Sequence, residues 1–488
     1  MTRTSIEERP SGERSRPGEE VLPRPEAIAL PWGPGGNLEL RWPESGPMAD
    51  ARVKVVTPDL SDAVADYPAA LGAALDSPVD TRRLEELVAP GRSVAIVADD
   101  PSRWTPVREA LPIILARLHA AGVRAEDVTI SVGVGRHHAV DDAAMRRRVG
   151  EDVAAGYRCY SPPVDDLLAY DTLGTIEPGI PVRVFRPVAR ADLRILVGSV
   201  LPHLQAGFGG GYKLIFPGTS HRSTLGALHR QGLVGRADAA GLLGGDAGGN
   251  PMRCAIHAAA GLLGPCWSIS HLIGGPDQVF RAVAGHPESV QDVLAAEARR
   301  RFRAPDSEPA DVVIAGNHPW PGDPMQSFKV LLHHRAACRP GGALVGLFWT
   351  DPNEIARSFP ASALRGIAAT GVIGSWAIRR LLPAAQHAAT LAGSPAAFMI
   401  RWARELVVDR TVLVYSPPLR ALVGPRLGPV HLFDDLDSLL IRCPSSVVRC
   451  RPSLLAGLSR IGRGKAGESG PPLRVRIFPQ GGLTYVPA

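Results

Sequence analysis

Aromatic residues, long apolar runs and clustered basic residues are scarce in this sequence, and each scarcity excludes a class of protein. Phe, Trp and Tyr make up 5% of the 488 residues, which argues against a surface that stacks nucleic-acid bases. The net charge of +6 comes without a long Lys/Arg run, so nucleic acid is not an expected partner. No apolar run of about eighteen residues exists, and residues 1–20 lack the apolar core of a signal peptide, so no membrane contact is expected.

Paired cysteines are also missing. The six cysteines form no CxxC pair and are spread from Cys159 to Cys450. This spacing argues against a zinc site or a disulfide scaffold and favours small buried thiols in a reducing compartment. Together with the missing signal peptide, it predicts a cytoplasmic protein.

Lysine is the rarest charged residue. Of the 54 basic residues only four are lysines, namely Lys54, Lys213, Lys329 and Lys465, and the others are arginine. Arginine can replace lysine where only positive charge matters, but its guanidinium group stays protonated and planar and is not a nucleophile. Each remaining lysine is therefore a candidate for a role that needs an amine.

The hydrophobic content of 45% is sufficient for sizeable cores, and the length predicts two to three domains. Residues 1–50 are rich in Pro, Gly and charge and are predicted to be a flexible tail, with at most a short strand at 38–42. Strands are predicted at 93–98, 128–132 and 193–197, with a helix at 107–121 between the first two.

A second unit of the same kind begins near residue 310. Strands are predicted at 311–315, 342–346 and 411–415, with a helix at 326–337, and a helix at 284–305 joins the two units. Alternating strands and helices predict an α/β fold with two α/β domains, residues 51–290 and 291–488, whose sheets are largely parallel. The active site is expected in the cleft between them.

Unusual polar segments follow four predicted strands directly. They are residues 99–106, 133–138, 198–203 and 316–323, and three of them contain histidine. In open α/β sheets ligands bind at the carboxyl ends of the strands. These segments are therefore expected to share one cleft.

The third segment continues into a glycine-rich stretch that ends at a rare lysine. Residues 206–213 read AGFGGGYK, and Lys213 is one of the four lysines. Such glycines let a backbone approach a ligand closely and offer N–H groups to a phosphate, although the spacing is neither that of a Walker A loop nor GxGxxG. His229 lies a short segment later and could return to the same cleft as a metal ligand.

In their order along the chain, these motifs resemble those of the nickel-dependent lactate racemases, enzymes that carry a nickel-pincer nucleotide. The resemblance covers about residues 50 to 488. It rests on DDxxRxTP from Asp99, Gly135 followed by His137, PHxxAGFxGGxK from Pro202 to Lys213, the later His229, the Asn250-Pro251 dipeptide, and QSxK from Gln326 to Lys329.

The resemblance implies a role for each of these residues. Lys213 falls where the family's lysine forms a thioamide with the cofactor, and His229 where a histidine coordinates the nickel. His137 and His203 fall at the two alternating acid/base positions, with His138 an open alternative to His137. Gln326 and Lys329 match residues at the substrate carboxylate. The further positions implied to contact the cofactor are Asp100, Arg103, Gly207, Gly209, Gly210, Gly211 and Asn250.

The implied reaction is racemisation or epimerisation of a 2-hydroxy acid by reversible hydride transfer to the tethered nucleotide. Trp320, His318 and a short segment between Asp323 and Gln326 favour a substrate larger than lactate. The implied partners are this substrate and the enzymes that build the cofactor. Two alternatives remain: a lyase or dehydratase with Lys213 as its Schiff-base lysine, and a non-catalytic nucleotide-binding protein.

Overall fold

The computed structural model describes most of the chain. The described residues are 17–22, 25–135, 139–232, 242–245, 248–276, 278–320, 322, 324–358, 371–392, 397–446 and 472–487. Their strands are β1 Gly18–Leu22, β2 Ala27–Trp32, β3 Gly36–Arg41, β4 Arg52–Thr57, β5 Val94–Asp99, β6 Val128–Gly133, β7 Arg158–Tyr160, β8 Tyr170–Ile176, β9 Ile180–Phe185, β10 Leu193–Ser199, β11 Pro202–His203, β12 Gly207–Phe208, β13 Cys266–Gly275, β14 Gln278–Gly285, β15 Ala310–Gly316, β16 Cys338–Leu347, β17 Thr411–Tyr415, β18 Arg426–Leu427, β19 Val430–Phe433 and β20 Arg474–Phe478.

Helices connect these strands. In chain order they are α1 Tyr67–Asp76, α2 Val107–Ala120, α3 Asp142–Val149, α4 Glu151–Gly156, α5 Arg186–Arg190, α6 Arg222–Gln231, α7 Pro251–Ala260, α8 Pro287–Phe302, α9 Pro324–His333, α10 Pro352–Ser358, α11 Gly371–Leu391, α12 Ala397–Val407, α13 Pro417–Val423 and α14 Leu436–Ser446. None of the described helices combines the length and apolarity needed to cross a membrane.

A six-stranded sheet is built from the first half of the chain. Its order is β14-β13-β10-β5-β6-β7, and all neighbours are parallel except the edge pair β13/β14. Every residue of β5 is buried, because Ile96 faces the core under α2 while Val97 faces the core under α6 and α7. A strand covered on both faces reads as a continuous apolar run, which is why this strand was predictable.

An eight-stranded sheet is built mainly from the second half. Its order is β1-β4-β20-β15-β16-β17-β19-β18, and it is parallel except at the two edges, where β1 pairs with β4 and β18 with β19 in antiparallel fashion. The mixed α/β class with largely parallel sheets is confirmed. Helix α8 packs Val290 and Leu294 against Leu272 of the first sheet, in the same core that holds Leu344 of the second.

The N-terminal residues differ from the flexible tail predicted for 1–50. Within the described part, β2 and β3 form an antiparallel hairpin whose Ile28, Leu30 and Leu40 pack under Val312 and Ile314 of the eight-stranded sheet. The apolar alternation in this hairpin covers only a few residues inside a Pro- and Gly-rich segment, and a burial signal that short is easily missed.

Sheet membership also differs from the predicted division at residues 51 and 291. Strand β4 pairs in parallel with β20, from near the end of the chain, and thus lies in the sheet of the second half. The chain therefore starts in the eight-stranded sheet, builds the six-stranded sheet and then returns. No local pattern encodes such a pairing, because β4 and β20 meet only in the tertiary structure.

Candidate active site

The carboxyl ends of three neighbouring strands open into a large cavity. Strands β10, β5 and β6 lie side by side, so the segments that follow Ser199, Asp99 and Gly133 meet at one edge of the sheet. The cavity has a volume of about 1160 Å³, and its wall includes residues of all three segments. Gln326 and Lys329 of α9 complete the wall from the other sheet. Three of the four segments predicted to share one cleft thus contribute to the cavity wall.

The loop after β5 is held by a buried ion pair. Arg148 of α3 pairs with the Asp99 carboxylate and also donates to the backbone oxygens of Asp99, Arg103 and Thr105, at 3.0 to 3.1 Å. The second carboxylate oxygen of Asp99 accepts from the Thr105 hydroxyl at 2.7 Å. Both side chains of the pair are 9% exposed. Breaking a buried pair of this kind leaves an uncompensated charge, so the loop keeps its shape.

The ion pair and hydrogen bonds of Arg148 hold the loop so that Asp100 and Arg103 line the cavity. The Asp100 carboxylate accepts a hydrogen bond from the Ser102 N–H at 2.8 Å. The Arg103 guanidinium lies over the Trp320 ring, 4.9 Å from its centroid, and its Nη1 is buried without a hydrogen-bond partner among the described residues. A buried cationic donor that lacks a partner is costly in the protein alone. An anionic group in the cavity would satisfy it.

The described residues of the fourth polar segment, residues 316–320 and 322, contact residues of the cavity wall but do not themselves line the cavity. Trp104 donates its ring N–H to the Pro319 carbonyl, and Trp320 stacks under Arg103. Of this segment, His318 and Trp320 are absent from the described wall of the cavity.

His203 enters the cavity from a tight turn after β10. Its Nδ1 accepts the backbone N–H groups of Gln205 at 3.2 Å and Ala206 at 3.1 Å. Removal from water lowers the pKa of His203 well below 6.5, and the neighbouring charges of Lys213, Lys329 and Arg103 lower it further. The imidazole is therefore neutral at pH 7, with its one proton on Nε2.

This arrangement predicts the tautomer of His203. In histidine-labelled protein at pH 7, ¹⁵N NMR should show a neutral ring with a protonated Nε2 and an Nδ1 of the unprotonated type. The signal is identified by its loss in His203→Gln. A neutral ring with the proton on Nδ1, or an imidazolium, would contradict the described hydrogen bonds.

Lys213 lies in the 3₁₀ turn Gly211–Leu214 that ends the glycine-rich stretch. Its half-buried amine lines the cavity. Desolvation, followed by repulsion from Arg103, Arg253 and Lys329, lowers its pKa from 10.5 to about 7. An amine with this pKa is in large part unprotonated at neutral pH and can act as a nucleophile.

The glycines of this stretch allow close backbone approaches. Gly207 has φ +73°, and a Cβ there would lie 2.6 Å from the Gly245 carbonyl oxygen; Gly210 has φ +77°, and its Cβ would lie 2.9 Å from Val200. Gly209 and Gly210 line the cavity, whereas Gly207 and Gly211 do not. The latter two therefore shape the turn in this structure.

Asn250 also supports the turn. Its side chain is buried and caps α7, where its Oδ1 accepts a hydrogen bond from the Arg253 N–H at 3.0 Å. Its Nδ2 donates a hydrogen bond to the Gln205 carbonyl at 3.0 Å. Arg253, one turn along α7, donates to the carbonyl oxygens of Ala206 and Phe208. Asn250 does not itself line the cavity. Its contacts hold the backbone that precedes Lys213.

His229 lines the cavity from α6. Its Nδ1 lies 2.7 Å from the Leu225 carbonyl oxygen, which can only accept, so Nδ1 carries a proton. Metal-binding histidines show this arrangement, in which a hydrogen bond at one nitrogen orients the other. Among the described residues, no cluster of three or more His, Cys, Asp or Glu could hold a metal on its own.

Gln326 and Lys329 form a polar pair on α9. The Lys329 amine donates to Gln326 Oε1 at 2.9 Å and lies 5.6 Å from the centroid of the Trp402 ring. Both side chains and Trp402 line the cavity. Together, Lys329 and Arg103 give this part of the wall a positive charge suited to a carboxylate or phosphate.

The structure brings together most of the predicted site. Asp100, Arg103, His203, Gly209, Gly210, Lys213, His229, Gln326 and Lys329 all line the cavity. His137 and His138 lie outside the described residues. The sequence analysis missed Arg148, Trp402 and Tyr67, because none of them belongs to a motif and each reaches the cavity region only through packing.

Comparison with known proteins gives a consistent result. Residues 45–241 match the family described as the lactate racemase N-terminal domain. The chain is 26% identical over 275 residues to a lactate racemase of Thermoanaerobacterium thermosaccharolyticum, and 25% identical over 277 residues to one of Lactiplantibacillus plantarum. Each match covers 56% of this chain and 63% of the relative, so the chain spans less than two thirds of the curated relatives' length.

Two solved structures share the fold. The lactate racemase apoprotein of Thermoanaerobacterium thermosaccharolyticum superposes with a TM-score of 0.72 at 19% identity, over 94% of this chain and 99% of that one. A Thermotoga maritima protein superposes with a TM-score of 0.55 at 14% identity, over 83% and 95%. Residues 45–241 therefore match a lactate racemase N-terminal domain, and the chain is similar to lactate racemases over 56% of its length and shares the fold of a lactate racemase apoprotein.

Proposed function

We propose that this chain is an isomerase, a racemase or epimerase of a 2-hydroxy acid. The observation that carries the proposal is the convergence of Lys213, His229, His203 and Lys329 on one cavity. Each has a chemical property that the reaction needs: a nucleophilic amine, an imidazole oriented by a hydrogen bond at Nδ1, a neutral imidazole that can exchange a proton with the substrate oxygen, and a cation for a carboxylate. The relatives named lactate racemase support the reaction class.

The described residues fit a lysine-tethered nickel-pincer nucleotide. A pKa of about 7 leaves the Lys213 amine reactive enough to form a thioamide, whereas an arginine could not. The unpartnered Nη1 of Arg103 is a donor that an anionic group of the nucleotide would satisfy. Gly209 and Gly210 place backbone without a side chain at the cavity wall, beside which its phosphate would lie.

His229 would be the chain's ligand to the nickel, through Nε2. The hydrogen bond from Nδ1 to the Leu225 carbonyl fixes the ring for this purpose. The other ligands would be the sulfur and carbon atoms of the pincer ring, and this soft set together with one imidazole suits nickel.

When bound, the nucleotide would supply reversible hydride transfer at carbon 2 of the acid. Lys329 would pair with the substrate carboxylate, and Gln326 would add a hydrogen bond and keep the amine in place at 2.9 Å. A carboxylate fixed in this way acts as a pivot, so either face of carbon 2 can be presented without release of the acid.

The two histidines would serve opposite faces of the substrate. The hydrogen bonds at Nδ1 of His203 leave its proton on Nε2, and this N–H would donate a hydrogen bond to the oxygen on carbon 2. To take up a proton at Nε2 it must first adopt the other neutral tautomer and give up the contacts from Gln205 and Ala206. His137 would act on the other face, because the enantiomers present their hydroxyl groups on opposite sides.

The substrate is proposed to be larger than lactate. His318, Trp320 and the short segment before Gln326, where the sequence departs from the lactate racemases, support this proposal, since Trp320 lies against Arg103 of the cavity wall.

The direct test follows single enantiomers of 2-hydroxy acids by chiral chromatography. Protein produced together with the cofactor-building enzymes should convert either enantiomer to the mixture. Substrate deuterated at carbon 2 should keep its deuterium in the product, since hydride transfer does not exchange that hydrogen with water. Absence of inversion across the panel, or exchange with solvent, would contradict the proposal.

The low pKa of Lys213 also suits a Schiff-base lyase or dehydratase. In that reaction borohydride would trap a keto acid on Lys213 in protein made without nickel. Under the racemase proposal borohydride leaves Lys213 of such protein unmodified, as read from its peptide mass.

A further inference from the structure

We infer that Tyr67 selects 2-hydroxy acids that carry an additional hydroxyl group, because His271 holds the tyrosine's proton and leaves its oxygen to accept a hydrogen bond from the ligand. This inference rests on the proposed function and names the substrate class within it. Neither residue belongs to a motif in the sequence.

His271 occupies a buried position at the end of the six-stranded sheet. It lies on β13 in register with Ser199, the last residue of β10, and its side chain is 0% exposed. The Val200 N–H donates to its carbonyl at 2.9 Å. Its ring is therefore fixed next to the turn that carries His203.

The hydrogen bonds of His271 determine its tautomer. Nδ1 lies 2.9 Å from the Gly198 carbonyl oxygen, which can only accept, so Nδ1 carries the proton. Burial lowers the pKa of His271 to about 4, and the neutral ring then has its lone pair on Nε2.

The Tyr67 hydroxyl must donate to this lone pair. Its oxygen is 2.9 Å from His271 Nε2, and the two rings are tilted with centroids 5.7 Å apart. Burial raises the pKa of Tyr67, with a further contribution from Glu109, so the phenol keeps its proton at pH 7. With that proton directed at His271, the oxygen can interact with a further partner only as an acceptor.

Tyr67 lines the same cavity as Lys213 and Lys329. Glu109, whose charge acts on Tyr67, also lines it and adds a second acceptor. The cavity therefore combines two cations for a carboxylate, Arg103 and Lys329, with an acceptor at Tyr67 to which a ligand can donate a hydrogen bond. A 2-hydroxy acid with a further hydroxyl group matches both, whereas lactate supplies only the first.

The test compares pairs of 2-hydroxy acids of three to six carbons that differ only in a terminal hydroxyl. For the preferred length, wild-type protein loaded with cofactor should favour the hydroxylated acid at least about tenfold in kcat/KM, the size expected when a buried hydrogen bond is left unmade. In Tyr67→Phe this preference should fall to within about threefold.

A matched control is present in the same chain. The Tyr157 hydroxyl also donates a hydrogen bond to a histidine, with its oxygen 2.6 Å from His119 Nε2. As in His271, the other ring nitrogen of His119 contacts a backbone carbonyl, that of Val123, at 2.7 Å. Neither Tyr157 nor His119 lines the cavity. Tyr157→Phe should leave the preference unchanged. A methyl ether at the terminal oxygen tests the inference without a variant: since it has no proton to donate, wild-type protein should treat it like the acid without the hydroxyl.

The outcomes separate the two proposals. If no acid is racemised, the proposed function fails. Three results would contradict the role of Tyr67 while the proposed function stands. They are racemisation with no advantage from the terminal hydroxyl, equal kcat/KM for the methyl ether and the alcohol, and a preference that Tyr67→Phe retains.

Discussion

Lys213→Arg is expected to abolish both the covalent adduct and the racemase activity. The substituted guanidinium keeps the positive charge but cannot be acylated, because it stays protonated and delocalised. The wild-type amine, with its pKa lowered to about 7, is suited to form the thioamide. Intact-mass analysis of protein made with the cofactor-building enzymes should show the mass of the nucleotide on wild-type protein and none on the variant.

Lys54→Arg provides the control for this experiment. Lys54 lies on β4, far from the motifs in sequence, and forms an ion pair with Glu19 at 2.9 Å that arginine can preserve. This variant should keep the adduct on Lys213 and the activity. An adduct of undiminished occupancy in Lys213→Arg would show that the tether is elsewhere, and the assignment of Lys213 would be wrong.

His229→Ala is expected to remove the nickel while leaving the nucleotide attached. Metal sites typically lose 10- to 100-fold in affinity from changes to supporting residues alone, so loss of a direct ligand should reduce nickel per chain to below about a tenth. Elemental analysis of dialysed protein gives this value. Intact mass of the same sample should still show the adduct on Lys213, which separates metal binding from tethering.

His119→Ala is the corresponding control. His119 also hydrogen-bonds a backbone carbonyl through Nδ1, at 2.7 Å, but lies on α2 outside the cavity wall. Its loss should leave nickel content and activity unchanged. If His229→Ala retained the wild-type nickel content, the metal ligand would have to be sought elsewhere in the chain.

Sequence reasoning was most successful where burial produces a local pattern. Strand β5 was predicted at 93–98 and is found at Val94–Asp99, and β17 was predicted at 411–415 and is found at Thr411–Tyr415. Parallel strands buried on both faces are short apolar runs, and the polar residues that follow them mark the ligand edge of the sheet. The rarity of lysine then drew attention to Lys213.

Contacts between distant segments could not be predicted in this way. Tyr67 and His271 are 204 positions apart, and Asp99 and Arg148 are 49 apart. Neither pair has a spacing that a helix or a strand would impose. Their partners are chosen by which strand ends and helices come to lie next to one another, and a single sequence contains no direct record of that.

By itself, the sequence determined the α/β class, the loops that reach the cavity and the identity of its amine and imidazole groups, because these depend on residue type and local periodicity. Only the tertiary structure decided the return of β4 to the second sheet, the proton position on His203, His229 and His271, and the lowered pKa of Lys213. These properties depend on desolvation and on hydrogen-bond partners, which the folded chain supplies through contacts between residues far apart along it.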